Sequence, residues 1–214
     1  MTKVAFISYA DGSYERLHAS FKKSVLLNYP KADVLCFNKF SDIGSPTHAE
    51  SPYAFKIYAI ERARDLGYEV VIWCDSCQRL VNSPVEFIQT IEKVGVYLQR
   101  DGWATGQWAN DKALEYFGVT RDEAMKITAV YACIIGFDFR HPITTEFLKQ
   151  WKEASKNGIF FGKWKNTDKT ESQDDRCLGH RHDQTSAELI ANKMGIELQA
   201  LVTDSVFKGW IDIN

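Results

Sequence analysis

Short apolar runs alternate along the chain with longer segments in which apolar residues recur every three or four positions. Five runs have the length and composition of buried strands: 4–10, 32–37, 69–75, 95–99 and 129–139. Five segments have helical spacing: 12–29, 52–67, 83–94, 144–158 and 182–194. This alternation predicts an α/β protein, a three-layer sandwich with a mostly parallel central sheet and helices on both faces.

Proline, glycine and serine residues locate several helix ends. Gly67 suits the C-terminal cap of the segment 52–67. Ser83 and Pro84 predict the N-cap and the first residue of the next helix. The last helix is predicted to span His182 to Met194.

Length and charge narrow the class of protein. The 214 residues fit one domain, predicted over 1–214, and 26 basic against 28 acidic residues give a net charge of -2. That balance does not favour a general polyanion binder. The first apolar run meets Lys3 at once, which predicts no signal peptide, no membrane span and a cytoplasmic protein.

The cysteines suit reduced thiols. There are five, Cys36, Cys74, Cys77, Cys133 and Cys177, and three lie in strand-like runs. Cys74 and Cys77 form a CxxC pair, but the chain lacks the second pair that a zinc site of this kind needs.

One carboxylate stands at the end of a buried run. Residues 70–74 are apolar and lead directly to Asp75. In mostly parallel sheets, ligands bind beyond the carboxyl ends of the strands. We therefore expect Asp75 to lie at a ligand site.

The segment 157–181 breaks the pattern. It is polar, carries both charge signs and is too long for an ordinary connection. It is a candidate flexible lid or acceptor loop. A solvated, partly disordered excursion without a role explains its composition equally well.

Three stretches, 51–76, 129–155 and 179–196, resemble the nucleotide-diphospho-sugar transferases of the GT-A fold. In that family a strand ends in an Asp-x-Asp motif, which reaches the donor's pyrophosphate through a divalent cation, Mn²⁺ or Mg²⁺. Asp75 matches the first position and Ser76 the middle one, but Cys77 occupies the second acidic position. A thiol is a poor ligand for such hard cations, so the departure puts metal dependence in doubt.

The resemblance leaves several roles open for Asp75. It could hold one cation with the donor phosphates and a second side chain, for which His182 is the candidate, or accept a hydrogen bond from the donor ribose. Alternatively, protein cations could meet the pyrophosphate charge, with four candidates: Lys56, Arg62, Arg79 and Arg181. Without any ligand, Asp75 would simply cap a turn.

The stretch 179–189 supplies the catalytic candidate. The resemblance places an acidic residue at the start of a late helix, close to the sugar or the acceptor, and Asp183 matches it, with Gln184 beside it on the donor side. In an inverting enzyme the carboxylate takes the proton of the acceptor hydroxyl, and in a retaining one it lies beneath the sugar ring. Asp183 could equally be an N-cap for Thr185 or Ser186. His180 and His182 could contact a metal or a phosphate, although most paired loop histidines do neither.

Two further groups complete the predicted site. The resemblance implies that Tyr9, Ala10 and Asp11, after the first strand, contact the base and ribose of the donor. In the segment 100–118, Asp101, Trp103 and Trp108 are acceptor-side or donor-side candidates, because indole faces suit sugar rings and bases. Covering the sheet would account for the tryptophans equally well.

The sequence therefore predicts a glycosyltransferase, hexosyl or pentosyl, that moves a sugar from a nucleotide-diphosphate sugar to a hydroxyl of a glycan, a lipid-linked sugar or a protein. No GxGxxG or GxxxxGK[ST] motif favours a dinucleotide or ATP site. One alternative acceptor is hydroxymethylated pyrimidine in DNA, as for bacteriophage enzymes that the chain also resembles, served by five cations: Lys156, Lys163, Lys165, Lys169 and Arg176. A second alternative is a catalytically silent module that binds a nucleotide sugar.

Overall fold

A five-stranded sheet in the order β2-β1-β3-β6-β5 forms the centre of the computed structural model, which describes residues 2–202 and 205–209. Its strands are β1 (Val4–Tyr9), β2 (Asp33–Phe37), β3 (Val70–Cys74), β5 (Val96–Ala104) and β6 (Thr128–Asp138), while β4 (Arg79–Leu80) pairs with β7 (Phe207–Lys208) in a separate ribbon. β1 is parallel to β2 and β3, and β6 is antiparallel to β3 and β5. Four of the five strands therefore run in one direction, which confirms the mostly parallel sheet.

Helices cover both faces of this sheet. They are α1 (Leu17–Asn28), α2 (Phe40–Ile43), α3 (Phe55–Asp65), α4 (Val85–Val94), α5 (Asp111–Phe117), α6 (Arg121–Ala124), α7 (Pro142–Lys156) and α8 (His182–Met194). Two short 3-10 turns follow strands: Gly12–Tyr14 comes after β1, and Thr105–Gln107 comes after β5.

The alternation of side chains along the strands produces two hydrophobic cores. In β1, Ala5 and Ile7 point to a core shared with α3, α7 and α8, whereas Phe6 points to a core shared with α1 and α4. In β3, Trp73 belongs to the first core. The sandwich with helices on both faces is thus confirmed. The first core includes residues of both α3 and α8.

Several predicted boundaries differ from the structure. The helix predicted over 83–94 begins at Val85, and Pro84 rather than Ser83 occupies the N-cap position, without a side-chain cap. The segment 12–29 divides into a 3-10 turn and α1, which begins only at Leu17. The strand predicted over 95–99 continues as β5 to Ala104, with bulges in its pairing with β6. The helix predicted from His182 to Met194 is confirmed at both ends.

The segment 157–181 contains neither helix nor strand, but hydrogen bonds hold it together. The buried Asn166 side chain donates to the Ser172 and Cys177 carbonyls and accepts from the Glu171 and Ser172 amides. The Leu178 amide also donates to the Gln107 carbonyl. A lid movement of this segment remains a prediction.

All five cysteines are free thiols. None of the helices within the described residues combines the length and the apolar character that crossing a membrane requires.

Candidate functional site

A cavity of about 490 Å³ opens beyond the carboxyl ends of β1 and β3. The residues that directly follow these strands line it, and the first residues of α3 and α8 close it from the side. Nine of the residues predicted for the site lie in this lining: Tyr9, Ala10, Asp11, Lys56, Asp75, Ser76, Arg181, Asp183 and Gln184. The fold thus brings together residues that are up to 175 positions apart in the chain.

A buried lysine joins two carboxylates at the floor of the cavity. The Lys56 Nζ lies 3.1 Å from Asp183 Oδ2 and 3.4 Å from Asp75 Oδ1, and it donates to the Ala132 carbonyl at 3.1 Å. Burial alone lowers the pKa of Lys56, but the two carboxylates more than offset it, and the net pKa is raised. Lys56 therefore carries its positive charge at neutral pH.

Asp75 is held by protein groups on more than one side. Its Oδ1 accepts the indole N–H of Trp73 at 2.8 Å in addition to pairing with Lys56. Burial, together with the nearby Asp75 carboxylate, raises the pKa of the Cys133 thiol. The side chain of Asp75 is therefore part of the cavity floor. The turn that follows is closed by the backbone instead, because the Gln78 amide donates to the Asp75 carbonyl at 2.9 Å.

Asp183 occupies the first turn of α8 with only 5% of its side chain exposed. Burial raises its pKa, and the Lys56 ammonium opposes that rise. The alternative of an N-cap is wrong, because Arg181 occupies the N-cap position of α8 and Asp183 lies inside the helix. Its backbone carbonyl accepts the Trp151 indole N–H at 2.9 Å, which fixes the helix start to α7.

Two residues beside the buried lysine have a left-handed backbone. Tyr53 has a φ of 60° and His182 a φ of 51°, values that are uncommon for residues other than glycine. Their rings pack with centroids 5.2 Å apart, and Tyr53 lines the cavity just before Lys56. Backbone strain of this kind persists where the surrounding structure imposes it, and it concentrates at functional sites.

Aromatic rings form the wall of the cavity near β1. The Tyr9 ring stacks against Phe40 and Phe55, with centroids 5.0 and 4.7 Å apart, and its hydroxyl donates to Asp11 Oδ2 at 3.2 Å. Burial and Asp11 raise the pKa of Tyr9. Opposite the floor, the Arg181 guanidinium lies 3.6 Å from the Trp108 ring centroid and 4.4 Å from that of Trp164.

Gln184 lines the cavity with a fixed side-chain amide. Its Nε2 donates to Glu188 Oε1 at 3.0 Å, and the same oxygen accepts the Val130 amide at 3.0 Å. The Gln184 amide oxygen is a hydrogen-bond acceptor that this lining residue can offer to a ligand. Burial raises the pKa of Glu188 to about 7.

Other predicted residues lie outside the cavity lining. Arg62 is exposed on α3, and the buried Arg79 donates to the Ser76 and Gln78 carbonyls and to the Ser20 hydroxyl. Asp101 and Trp103 lie on β5 rather than in a loop, and Trp103 packs edge-on against Trp108 with centroids 5.8 Å apart. Trp108 contacts the cavity-lining Arg181, and Trp103 contacts Trp108.

The two histidines bond to the backbone. His180 is buried, its Nε2–H donates to the Ile159 carbonyl, and its Nδ1 accepts the Asn110 amide. Burial lowers the pKa of His180 to about 3, which keeps the ring neutral. The His182 Nδ1–H donates to the Phe160 carbonyl at 2.8 Å. The neighbouring rings of Tyr53 and Trp164 pack on His182.

Sequence reasoning missed several lining residues. Tyr53 precedes α3 in a turn, and Trp164 lies in the irregular segment 157–181, so neither belongs to a periodic pattern. The sequence pattern places Cys133 in a buried strand and does not indicate that it lines the cavity. The available signal is the density of aromatic residues, because Phe55 adjoins Lys56, Tyr53 precedes it by three positions, and Trp164 lies between two of the singled-out lysines.

The donor set fits a protein-bound divalent cation poorly. Among residues 2–202 and 205–209, no group of three or more His, Cys, Asp and Glu side chains is arranged to hold a metal ion. Asp75 is already bound by Lys56 and Trp73, and Cys77 offers sulfur where hard cations prefer oxygen. The Lys56 ammonium thus already neutralises part of the Asp75 charge that a divalent cation would neutralise.

Comparison of the sequence with known proteins finds no match among protein-family models or curated proteins. Solved structures do match the fold. The apo structure of WbbM, a bifunctional glycosyltransferase, is similar over 94% of this chain and 39% of that chain, with 11% identity and a TM-score of 0.54. The glycosyltransferase GlyE of Streptococcus pneumoniae TIGR4 is similar over 94% of this chain and 45% of that chain, with 11% identity and a TM-score of 0.50.

The chain therefore spans less than half the length of these two proteins. At this level of identity, the likeness concerns the fold. The protein has a GT-A-like glycosyltransferase fold, as the three sequence stretches predicted.

Proposed function

We propose that this protein is a glycosyltransferase that moves a sugar from a nucleotide-diphosphate donor to an acceptor hydroxyl. The observation that carries the proposal is the buried Lys56, held between Asp75 and Asp183 on the floor of an aromatic-walled cavity. Charged groups held in a dry site and aimed at a bound substrate are the main source of catalysis in most enzymes. The GT-A-like fold supplies the reaction class that such a site serves.

The donor's base and ribose are assigned to the end of the cavity near β1. The Tyr9 ring stacks on Phe55, and the Tyr9 hydroxyl donates a hydrogen bond to Asp11. Asp11 is positioned to accept hydrogen bonds from ribose hydroxyls, and aromatic faces are suited to a base. Ala10 between them leaves room for the nucleoside to approach the backbone.

Arg181 is the proposed main partner of the diphosphate. Lys56 already balances two carboxylates, whereas the Arg181 guanidinium has aromatic neighbours and no ion pair among the described residues. A guanidinium binds phosphate oxygens through paired N–H groups. We therefore assign neutralisation of the departing diphosphate to Arg181, with support from Lys56, and we route no step through a metal ion.

Asp183 is the proposed catalytic carboxylate. Positive charge develops at the anomeric carbon as its bond to the diphosphate breaks, and the acceptor hydroxyl loses a proton as it attacks. Asp183 lines the cavity, and Lys56 fixes the orientation of its carboxylate. This position of Asp183 is compatible with two roles. The carboxylate either takes the acceptor's proton as a base or stabilises the positive charge from beneath the sugar ring.

A thermal-shift panel tests donor binding and the role of metal together. The panel contains UDP-, GDP- and dTDP-sugars, each with Mn²⁺ and each with EDTA, because a ligand that binds the native state raises its melting temperature. We expect one donor to raise the melting temperature with EDTA present, and Arg181→Ala to abolish most of that rise. Arg62→Ala, an exposed arginine on α3, is the matched control and keeps the rise.

A rise that occurs only with Mn²⁺ would contradict the assignment of the diphosphate to Arg181. No rise with any donor would contradict the proposed function itself.

A catalytically silent module that binds nucleotide sugars is the second candidate. Cys77 in the Asp-x-Asp position favours it, since the residue departs from the acidic motif. Release of nucleoside diphosphate distinguishes the two candidates, because a silent module binds the donor without consuming it.

A further inference from the structure

Three indoles and one guanidinium form a row of contacting side chains that leads from the cavity to Trp103 on β5. Its members, which we call the aromatic platform, are Trp103, Trp108, Arg181 and Trp164. Successive members are close: the Trp103 and Trp108 centroids are 5.8 Å apart, and Arg181 lies 3.6 Å from Trp108 and 4.4 Å from Trp164. Arg181 and Trp164 line the cavity, so the platform is continuous with it.

Two of these indoles face solvent. Trp103 and Trp164 are each 50% exposed, and neither belongs to one of the hydrophobic cores. Trp164 is fixed by the rings of His182 and Tyr53, with centroids 4.9 and 6.1 Å away. Exposed rings held in a fixed orientation present ready-made apolar faces to a ligand.

Polar groups accompany the rings. Asp101 lies on β5 two residues before Trp103. Partial burial lowers the pKa of Arg181, and the negative charges of Glu188 and Asp101 oppose that shift. Aromatic faces with a carboxylate beside them match a sugar ring, while the Arg181 guanidinium keeps its assignment to the donor diphosphate. Its C–H face is apolar, and its hydroxyls both donate and accept hydrogen bonds.

Charge distinguishes this surface from one for nucleic acid. Bases also stack on aromatic rings, but such sites combine stacking with a positively charged path for the phosphates. Here four of the five cations near the segment 157–181 are paired with carboxylates: Lys156 with Glu153, Lys163 with Asp168, Lys169 with Asp175, and Arg176 with Asp122 and Asp174. Carboxylate partners thus neutralise four of the five cations that a DNA acceptor would need, which favours a saccharide over DNA.

We infer that the acceptor is an oligosaccharide, and that the aromatic platform binds the sugar residues that lie beyond the one that reacts in the cavity. This inference rests on the proposed function and specifies its acceptor class. The platform connects the cavity wall to Trp103 through three contacts, so we expect it to bind more than one sugar ring. Chain length of the acceptor should therefore affect affinity.

The test uses a printed array of oligosaccharides, each beside its constituent monosaccharides, probed with the full chain in the presence of UDP, GDP and dTDP. Titration calorimetry then measures affinity for the best binder. We expect an oligosaccharide to bind at least about tenfold more tightly than its monosaccharides, which corresponds to about 1.4 kcal/mol. Trp103→Ala should weaken binding about tenfold, and Trp103→Phe, which keeps a ring, should retain most of it.

Tyr116→Ala is the matched control. Tyr116 is an aromatic residue 42% exposed on α5, outside the platform, and its loss should leave the affinity unchanged. Because Trp103 is half exposed, its truncation leaves the core intact, and the donor-induced thermal shift of Trp103→Ala should equal that of the wild type.

The outcomes separate this inference from the proposed function. Donor binding without binding to any oligosaccharide overturns the inference and leaves the proposed function standing, and binding to hydroxymethylated duplex DNA instead would assign the acceptor to DNA. Equal oligosaccharide affinity in wild type and Trp103→Ala also overturns it. Oligosaccharide binding that depends on Trp103, in a protein that binds no donor, supports the platform but contradicts the transferase.

Discussion

At the scale of single residues, burial determines what the charged side chains near the cavity do. Lys56, Asp75 and Asp183 come from three separate parts of the chain. Asp75 is identified in the sequence by its position at a strand end, Asp183 by the family resemblance, and Lys56 as one of four candidate cations for the pyrophosphate. Their direct contact could not be predicted, because it depends on how α3 and α8 meet the end of β3. The same limit hid Glu188, which helical spacing identifies only as one more residue of α8.

Glu188 predicts a specific pH dependence of stability. Burial raises its pKa from 4.5 to about 7, so between these values the native state binds more protons than the unfolded state. The contribution of this group to stability is complete below about pH 4.5 and is lost as pH rises toward 7, by about 3 kcal/mol in total. Glu188→Gln, which cannot ionise, should gain about 3 kcal/mol relative to wild type between pH 4 and pH 8.

Urea denaturation at pH 4, 6 and 8 measures this difference. Glu153→Gln, an exposed glutamate on α7, is the control, and its stability relative to wild type should change by less than about 1 kcal/mol over the same range. A difference between Glu188→Gln and wild type that is constant with pH would show that Glu188 does not titrate as described.

At the scale of elements, regular segments were predictable and irregular ones were not. The strands β1 to β3 and the helix α8 can be predicted from the sequence, because apolar residues recur in them at the spacing of a buried strand or helix. β5 was predicted too short, since Gly102 and the charged residues around it conceal a bulged continuation of the strand. The segment 157–181 was expected to be a lid or a disordered excursion, because single buried residues such as Asn166 leave no periodic signal.

Asn166 should therefore control the order of the segment 157–181. Its buried side chain makes four hydrogen bonds to backbone groups of that segment. Asn166→Ala leaves those groups unpaired and should lower the free energy of unfolding by about 3 kcal/mol. It should also speed tryptic cleavage at Lys163, Lys165 and Lys169.

Asn157→Ala provides the comparison. Asn157 donates one exposed hydrogen bond to the Glu153 carbonyl, so its loss should cost less than about 1 kcal/mol and leave cleavage unchanged. If the two variants were equally stable and equally resistant to trypsin, Asn166 would not be what holds the segment.

At the scale of the whole molecule, the alternation of strands and helices was sufficient to predict the architecture. The antiparallel direction of β6 and the strand order were not predicted, because both depend on contacts between elements distant in the chain. Four strands that point the same way place the ends of β1 and β3 at one edge, and α3 and α8 begin there. The cavity is a consequence of that arrangement, and the aromatic platform connects it to Trp103 on β5.

Turnover of the donor tests the central claim most directly. The measurement is the rate of UDP, GDP or dTDP release from the donor that raises the melting temperature, in the presence of the best-binding oligosaccharide, for wild type and for Asp183→Asn. The account predicts acceptor-dependent release by the wild type and a loss of about 10²-fold or more in Asp183→Asn. The thermal shift with donor should persist in the variant. Equal rates of release in the two proteins, or no release by the wild type, would contradict it.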